Sequence, residues 1–234
     1  MKRIIAFALV CIMALGFTAC GDDIHAKSEG VMTYEEYATA ELHTEVTVEC
    51  FVQGHQSWWF NSEKNKGLIT VYAQDKDGAY FLYEMECTEE NAKKLTAGTK
   101  IRVKGYKEEW AGEFEIVDAT FEILEGNWVA EAMDATSLLG KDELVNHQNK
   151  FASFKGMKVE AIEYKNGEPG DDIYVTLSYD GASYSFCVES YLTSPDSDVY
   201  KTVGELKTGD TVDVEGFLYW YNGVNTHITS IVKK

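Results

Sequence analysis

The sequence predicts a mainly β protein made of two tandem OB-fold-like five-stranded barrels, each with a short helix between its third and fourth strands. The first observation behind this prediction is an internal repeat, because residues 95–106 recur position by position as residues 206–217. The second is the order of segments in each copy. Three alternating apolar–polar segments, a helical segment and two more alternating segments follow one another, as in an OB-fold.

The two copies share glycines at matching positions. Gly98 and Gly105 in the first copy correspond to Gly209 and Gly216 in the second. A glycine inside the fourth strand suits a barrel that must bend there. The match continues downstream at the same spacing, so it predicts two homologous domains.

Each copy opens with a strand, at residues 46–52 and 157–162, in which apolar and polar side chains alternate. The next two strands are joined by Asp-Gly pairs at residues 77–78 and 180–181, and Asp-Gly between alternating segments is a strong hairpin signal. The last hairpin of each copy turns at a residue followed by glycine, at residues 111–112 and 222–223.

A short helix follows the third strand of each copy. Thr88 is placed to cap the first helix, acidic residues fill its opening turn, and Lys93 and Lys94 stand in its last turn. That charge order suits the helix dipole. In the second copy the helical segment begins at Ser194 and closes at Gly209.

Helical segments also precede the two barrels. Met32 and Tyr37 flank a capping box formed by Thr33 and Glu36, so a helix should lead into the first barrel. Residues 127–150 hold the same place before the second barrel and are expected to form a partly helical linker. The predicted domains are residues 32–126 and 151–234.

The N-terminus has the pattern of a bacterial lipoprotein leader. Two basic residues precede an apolar run at residues 4–17, and small residues then lead to Cys20. This pattern predicts a signal peptide at residues 1–19, lipidation of Cys20 and a flexible, polar tether over residues 20–31. A retained membrane helix is the alternative, although the run is shorter than the roughly 20 residues that cross a bilayer.

The chain is strongly acidic. Its 39 acidic and 21 basic residues give a formal net charge of −18, which becomes −20 when a leader containing Lys2 and Arg3 is removed. Phosphate backbones and anionic lipid surfaces repel such a protein. The charge therefore disfavours nucleic acid as a partner. The leader predicts a protein outside the cytoplasm, held to the membrane by a diacylglyceryl anchor.

The sequence lacks catalytic, metal and cofactor motifs. It has none of the spacings of zinc proteases, serine hydrolases, phosphate-binding loops or dinucleotide-binding turns. Cys50, Cys87 and Cys187 have no C-x-x-C spacing, so we expect them to be small buried side chains, with a Cys50–Cys87 disulfide as the alternative. We expect no enzyme activity, no catalytic residue and no cofactor.

Aromatic residues are concentrated on the loops that OB-folds use for ligands, after the first and fourth strands. The candidate ligand-binding residues are Trp58, Trp59, Phe60, Trp110, Tyr219, Trp220 and Tyr221. Their rings could stack on a sugar or a base, and Glu108, Glu109 and Glu113 around Trp110 favour sugars or peptides. The alternative is that the rings plug the barrels or pack between the domains. Of two adjacent tryptophans on an extended segment, one should be exposed.

Several segments of this plan resemble one protein family. These segments lie C-terminal to the leader, at residues 33–37 (Thr-Tyr-Glu-Glu-Tyr), 56–59 (Gln-Ser-Trp-Trp), 105–113 and 216–221. With them the chain is similar, over essentially its whole mature length, to tandem OB-fold lipoproteins of Gram-positive anaerobic bacteria. The resemblance implies location and fold. That group has no assigned activity, so the resemblance implies no catalytic residue.

The function that the sequence favours is a non-catalytic envelope protein whose aromatic loops hold a glycan or a peptide. A scaffolding subunit of a cell-surface complex is the alternative, in which the same rings contact a partner chain. An enzyme is disfavoured, although so many carboxylates could supply an acid–base pair that leaves no motif.

Overall fold

The computed structural model describes residues 23–234, and the predicted signal peptide and Cys20 lie outside the described residues. One sheet contains β1 (Glu45–His55), β2 (Trp59–Asn61), β3 (Lys66–Gln74), β4 (Ala79–Glu86), β5 (Thr99–Trp110) and β6 (Glu113–Asn127). The other contains β7 (Met133–Asp134), β8 (Phe151–Tyr164), β9 (Ile173–Tyr179), β10 (Ala182–Val188), β11 (Thr211–Phe217) and β12 (Asn225–Lys233). The α-helices of this part of the chain are α1 (Tyr34–Thr39), α2 (Glu89–Ala92) and α3 (Asp198–Glu205).

Both sheets close into OB barrels, as predicted. In the first, β1 pairs antiparallel with β3 and β5, β3 pairs with β4, and β5 pairs with β6. The parallel pairing of β4 with β6 completes the ring. The second barrel repeats this plan with β8 to β12, and β10 runs parallel to β12. Each ring has its helix, α2 or α3, between the third and fourth strands.

The predicted glycine turns form. Asp180 and Gly181, with φ angles of 51° and 80°, make the two-residue turn between β9 and β10. Two successive positive φ values are typical of the type I′ hairpin turn. The turn between β3 and β4 is longer, because the Asp75 carboxylate accepts hydrogen bonds from Asp77 N at 2.8 Å and Gly78 N at 2.9 Å.

The capping box of α1 is also present. The Thr33 hydroxyl accepts a hydrogen bond from Glu36 N at 3.2 Å, and the Glu36 carboxylate accepts one from Thr33 N at 2.7 Å. Tyr37 is buried in the core of the first barrel, and Met32 packs against the same core. These contacts hold α1 against the barrel.

Three segments differ from the sequence prediction. Trp59–Asn61 is a strand rather than a loop, because its backbone pairs with β3. α2 ends before Lys93 and Lys94, since the backbone bonds that follow it have i→i+3 spacing. The predicted flexible tether packs on the first barrel, because Lys100 Nζ donates to the Ile24 carbonyl oxygen at 2.8 Å and the Arg102 guanidinium donates to the Ser28 hydroxyl at 2.9 Å.

The linker is partly helical, as predicted. It contains 3₁₀ turns at Thr136–Leu138 and Asp142–His147, and its strand β7 joins the second sheet beside β8.

Each barrel has its own apolar core. Cys50 and Cys87 are buried in the first core, and Cys187 is buried in the second barrel. All three are free thiols. The expected burial is confirmed, and the alternative of a Cys50–Cys87 disulfide is wrong.

Candidate ligand cleft at the junction of the barrels

An aromatic cluster joins the two barrels. Tyr72 on β3 stacks on Phe217 of β11, with ring centroids 4.5 Å apart and an interplanar angle of 14°. Phe81 on β4 completes the buried cluster. The Tyr72 hydroxyl lies 2.6 Å from Nδ1 of His227 on β12. OB-folds bind ligands on a face that, in the first barrel, is formed by β3 and β4. The second barrel therefore covers part of this ligand face.

The last hairpins of the two barrels meet at the same junction. The Asn222 N–H donates to the carbonyl oxygen of Ala111 at 2.7 Å. A Cβ atom on Gly112 would lie 3.1 Å from the ring of Trp220, so the two turns are in close contact. Packing between domains, the alternative function of these aromatic loops, therefore accounts for part of the pattern.

Glu113, expected on the surface beside Trp110, is instead buried at the junction with 0% of its surface exposed. Its carboxylate accepts hydrogen bonds from Asn149 Nδ2 at 2.5 Å and from the Trp220 N–H at 2.9 Å. Burial outweighs these bonds and raises the pKa of Glu113 to about 8. This carboxyl ties the barrels together and offers no charge to a ligand at the surface.

The junction separates the predicted aromatic residues into exposed and packed groups. The exposed members are Trp59, Phe60, Trp110 and Tyr221. Tyr219 stacks on His227, with ring centroids 4.3 Å apart. Trp220 is half-buried against the core of the second barrel.

Trp58 is a packing residue. Its indole N–H donates to the Cys87 carbonyl oxygen at 2.8 Å. Its ring lies so close to Gly67 that a Cβ there would be 2.6 Å from it, which leaves room for glycine alone. Trp59 points away and is 42% exposed, so one ring of the pair is exposed as expected.

Trp59 lies in a cleft of about 440 Å³ between the barrels, which we call the aromatic cleft. Tyr83 on β4 and Tyr191, in the segment after β10, supply two further exposed rings. The Ser57 N–H donates to the Tyr191 carbonyl oxygen at 2.9 Å and holds this segment against the first barrel. The remaining residues of the cleft are Gln56, Ser57, Trp58, Thr70 and Glu84.

Glu84 is held in the cleft by an unusual backbone conformation. Its φ angle is 45°, in the left-handed region, beside an irregularity in the β3–β4 pairing. The Glu84 N–H donates to the Thr70 hydroxyl at 3.2 Å, which compensates for the interrupted ladder. Such irregularities re-aim side chains next to binding sites.

The carboxylates around the cleft outnumber their cationic partners. Glu84 pairs with Lys64 at 3.3 Å, whereas Glu115 forms an ion pair with no lysine or arginine of residues 23–234. Burial, together with Glu108 and Glu84, raises the pKa of Glu115 to about 7. Burial raises the pKa of Tyr83 as well, and Glu84 and Glu115 add to it. The field at the cleft therefore favours positive charge.

A second groove, of about 480 Å³, lies on the second barrel and includes Tyr219 and Tyr221. Its other groups are mostly hydroxyls and rings. Its carboxylate, Asp172, is already bonded to Lys165 at 3.0 Å and to the Ser190 hydroxyl at 2.8 Å. Glu84 of the aromatic cleft is likewise paired, with Lys64, so the two sites differ mainly in their rings. The second groove has two exposed rings, those of Tyr174 and Tyr221, where the aromatic cleft has three.

The sequence prediction missed Tyr83 and Tyr191. Tyr83 had a detectable signal, because it faces outward next to inward-facing Leu82 on a strand of the OB ligand face. Tyr191 had none. It reaches the cleft only because the second barrel docks beside Trp59.

The side chains and helices of residues 23–234 bear on metal binding, membrane crossing and thiol chemistry. No three His, Cys, Asp or Glu side chains there are placed to hold a metal ion. None of the helices in that range is long and apolar enough to cross a membrane. The thiols are buried, and burial raises the pKa of Cys87 to about 11.

Comparison with known proteins finds fold neighbours alone. No protein-family model and no curated protein matches the chain. Among solved structures, the tetrameric p202 HIN2 matches with a TM-score of 0.35 and 12% identity, over 83% of this chain and 96% of that one. The Ifi202 HINa domain in complex with 20bp dsDNA matches with a TM-score of 0.36 and 12% identity, over 83% and 98%. A replication protein A heterotrimer bound to ssDNA matches with a TM-score of 0.34 and 12% identity, over 87% and 52%.

These neighbours correct two expectations from the sequence. Several neighbours are complexes with DNA, contrary to the expectation of an envelope glycan or peptide on the aromatic loops and to the expectation that nucleic acid is disfavoured. At these identities and TM-scores the likeness extends to the fold and no further. A shared fold does not identify a ligand, which depends on the chemistry of the site itself.

Proposed function

We propose that this chain is a non-catalytic binding protein that holds a small organic cation, bearing an ammonium or guanidinium group, in the aromatic cleft. The observation that carries the proposal is that three exposed rings, those of Trp59, Tyr83 and Tyr191, line one cleft together with the Glu84 carboxylate. The rings come from both barrels, so a ligand in the cleft would contact both.

Ring faces attract cations because the π-electron quadrupole is negative there. One ring contributes about 0.5–1 kcal/mol at an exposed site and about 2 kcal/mol where water is displaced. Three rings and a carboxylate then support a Kd on the order of 10–1000 µM.

The charge of the whole chain supports the same ligand class. A formal net charge of −18 raises the local concentration of cations around the protein. Glu115 adds a nearby carboxylate that is only 8% exposed and pairs with no lysine or arginine of residues 23–234. Added salt should weaken binding, since it screens this attraction.

The test is a titration of the whole chain with tetramethylammonium, arginine and spermidine, in which binding is measured by calorimetry and by tryptophan fluorescence. Trp59→Ala should raise the Kd about 5- to 30-fold, which corresponds to a loss of about 1–2 kcal/mol. Trp110→Ala is the matched control, because Trp110 is 61% exposed but is not part of the cleft. Glu84→Gln should also weaken binding, whereas Glu86→Gln, two residues away and outside the cleft, should not.

Two other ligand classes are measured in parallel, N-acetylglucosamine and a single-stranded thymidine oligonucleotide. Tighter binding of either one than of every cation overturns the proposal. A Kd that stays unchanged in Trp59→Ala overturns it as well, even if cations bind elsewhere on the chain.

We also propose that the chain is anchored to a membrane outside the cytoplasm through a lipid on Cys20. The order of basic residues, apolar run and small residues before Cys20 supports this. More than one acyl chain is needed for stable anchoring, and a lipidated N-terminal cysteine provides it. Mass spectrometry of protein from native membranes should find mature chains that begin at acylated Cys20, and Cys20→Ser should abolish this species. A mature protein that begins elsewhere contradicts the proposal.

A further inference from the structure

The segment that precedes α1 is docked on the first barrel by side-chain contacts. Lys27 forms an ion pair with Asp75, a carboxylate at the end of β3 that is only 1% exposed. Lys100 Nζ, on β5, donates to the Ile24 carbonyl oxygen at 2.8 Å. A buried carboxylate that loses its cation is costly, so the contact of Lys27 with Asp75 keeps the segment in place.

A second buried carboxylate holds the same segment. Glu49 on β1 is 1% exposed and accepts hydrogen bonds from Arg102 Nε at 3.0 Å and Nη2 at 2.9 Å. The same Nη2 atom donates to the Ser28 hydroxyl at 2.9 Å. The chain is therefore fixed against β1 and β5 from Ile24 to Ser28.

This docking leaves a short connection between Cys20 and the barrel. Cys20 stands three residues before Asp23, where the described chain begins. An extended chain spans at most about 3.3–3.6 Å per residue, so these two Cα atoms lie within about 11 Å of each other. The acyl chains of a lipid on Cys20 lie in the bilayer, and the first barrel is then held close to the headgroups.

Exposed apolar side chains lie beside the docked segment. Ile24 is 40% exposed and Val129 is 53% exposed. Trp128 is half-buried, and its ring centroid lies 5.0 Å from that of His25. We call Ile24, Trp128 and Val129 the anchor patch. Tryptophan is enriched at the membrane–water interface, where apolar side chains enter the headgroup boundary.

Charge does not draw this surface to anionic lipids. The basic side chains that fix the segment are paired with carboxylates, Lys27 with Asp75, and Lys100 and Arg102 with Glu49. The formal net charge of −18 repels an anionic lipid surface. Neutral, zwitterionic headgroups therefore suit the anchor patch best.

We propose that the first barrel rests on the membrane that carries its lipid, with the anchor patch against zwitterionic headgroups. This inference rests on the proposed lipidation of Cys20. The lipid supplies the affinity, the short connection keeps the barrel at the surface, and the anchor patch sets its orientation.

Trp110 lies at the opposite end of the strands that lead to the anchor patch. Thr99 pairs with Asn127, next to Trp128, whereas Trp110 pairs with Glu113 at the far turn. β5 has 12 residues, so an extended strand places these two ends roughly 35 Å apart. Trp110 should therefore lie away from the membrane.

The test uses the lipidated protein, purified from native membranes and reconstituted in phosphatidylcholine vesicles that contain a lipid with a spin label on its choline group. The label quenches the fluorescence of tryptophans near the headgroups. Trp128 is one of 5 tryptophans, so quenching should remove about a fifth of the emission. Trp128→Phe keeps an aromatic ring beside His25 and should lose this quenching. Trp110→Phe is the matched control and should retain it.

A longer connection tests the role of the short one. Insertion of about twelve Gly and Ser residues between Asp22 and Asp23 adds roughly 20 Å of flexible chain and keeps every contact of the docked segment. Quenching by the headgroup label should then fall at least twofold, because the barrel spends less time at the surface.

Mass spectrometry of the same sample distinguishes failure of the lipidation from failure of this inference. A chain without acyl groups overturns both. An acylated chain overturns this inference alone in three cases: the label does not quench it, as when the anchor patch meets another protein instead; Trp110→Phe loses as much quenching as Trp128→Phe; or quenching is undiminished by the insertion.

Discussion

Glu113 on β6 accepts a hydrogen bond from the backbone N–H of Trp220 at 2.9 Å, across the junction between the barrels. Asn149 Nδ2 holds the other carboxyl oxygen. The group is fully buried, and burial raises its pKa to about 8. The protonation of one side chain is therefore coupled to the contact between the two domains.

We expect the free energy of unfolding to fall as the pH rises from about 6.5 to about 8. The unfolded chain loses the Glu113 proton near its ordinary pKa, whereas the folded chain keeps it until the pH reaches about 8. Stabilisation from this raised pKa is thus complete at low pH and lost as the pH rises, by about 2 kcal/mol over this interval. Glu115 and Glu189, whose pKa values are raised to about 7, act in the same direction. His227, whose pKa burial lowers to about 3, matters only below that range.

Urea unfolding of the wild type and of Glu113→Gln, at several pH values in this interval, measures the effect. Glutamine keeps an acceptor for the Trp220 N–H and cannot ionise, so the variant should show a flatter pH dependence. Glu109→Gln, at an exposed position four residues earlier, should keep the wild-type slope. Equal slopes in wild type and Glu113→Gln would mean that Glu113 does not titrate in this range.

Phe217→Ala should weaken the docking of the barrels. Phe217 is stacked on Tyr72 and also lies against Gly54, so its removal leaves a cavity between the domains. We expect a loss of about 3–5 kcal/mol in the free energy of unfolding and faster proteolysis in the linker, residues 127–150. Tyr221→Ala, at an exposed ring of the neighbouring turn, should cost less than about 0.5 kcal/mol. Similar losses for the two variants in thermal unfolding would argue against a docked junction.

Glu115→Gln should remove a proton release that accompanies cation binding. A cation bound in the aromatic cleft would lower the raised pKa of Glu115, so the chain should release protons on binding near pH 7. Calorimetric titrations with spermidine in phosphate and in Tris should then give different apparent enthalpies for the wild type. The difference should vanish in Glu115→Gln, and a wild type with no buffer dependence would contradict the prediction.

The thiols of Cys50, Cys87 and Cys187 should resist alkylation in the folded chain. They are buried, and burial raises the pKa of each, which removes the reactive thiolate. Alkylation with iodoacetamide before and after unfolding, followed by peptide mass mapping, should show modification only after unfolding. Rapid labelling of Cys87 in the folded chain would contradict its position in the core of the first barrel.

Much of the fold can be predicted from the sequence, because the signals are local. Alternation places Val46 and Val48 in the core, and the positive φ angles of Asp180 and Gly181 suit an Asp-Gly turn. The end of α2 before Lys93 could not be predicted in this way. Lysine favours a helix, but the backbone after Ala92 forms i→i+3 hydrogen bonds and leaves the α-helical conformation. The pairing of Trp59–Asn61 with β3 likewise depends on a neighbouring strand.

The candidate site also contains some residues that the sequence predicts and others that only the structure reveals. Trp59 stands out from its sequence position alone, and alternation shows that one of the two adjacent tryptophans is exposed. The sequence by itself therefore determined the two barrels, their turns and the aromatic character of their ligand loops. Only the tertiary structure decided that Tyr191 meets Trp59, that Trp58 and Trp220 are packing residues, and that Glu113 is buried. The physical reason is that local periodicity sets which side of a strand a residue faces, whereas the docking of two barrels depends on contacts such as Tyr72 with Phe217, which no local spacing encodes.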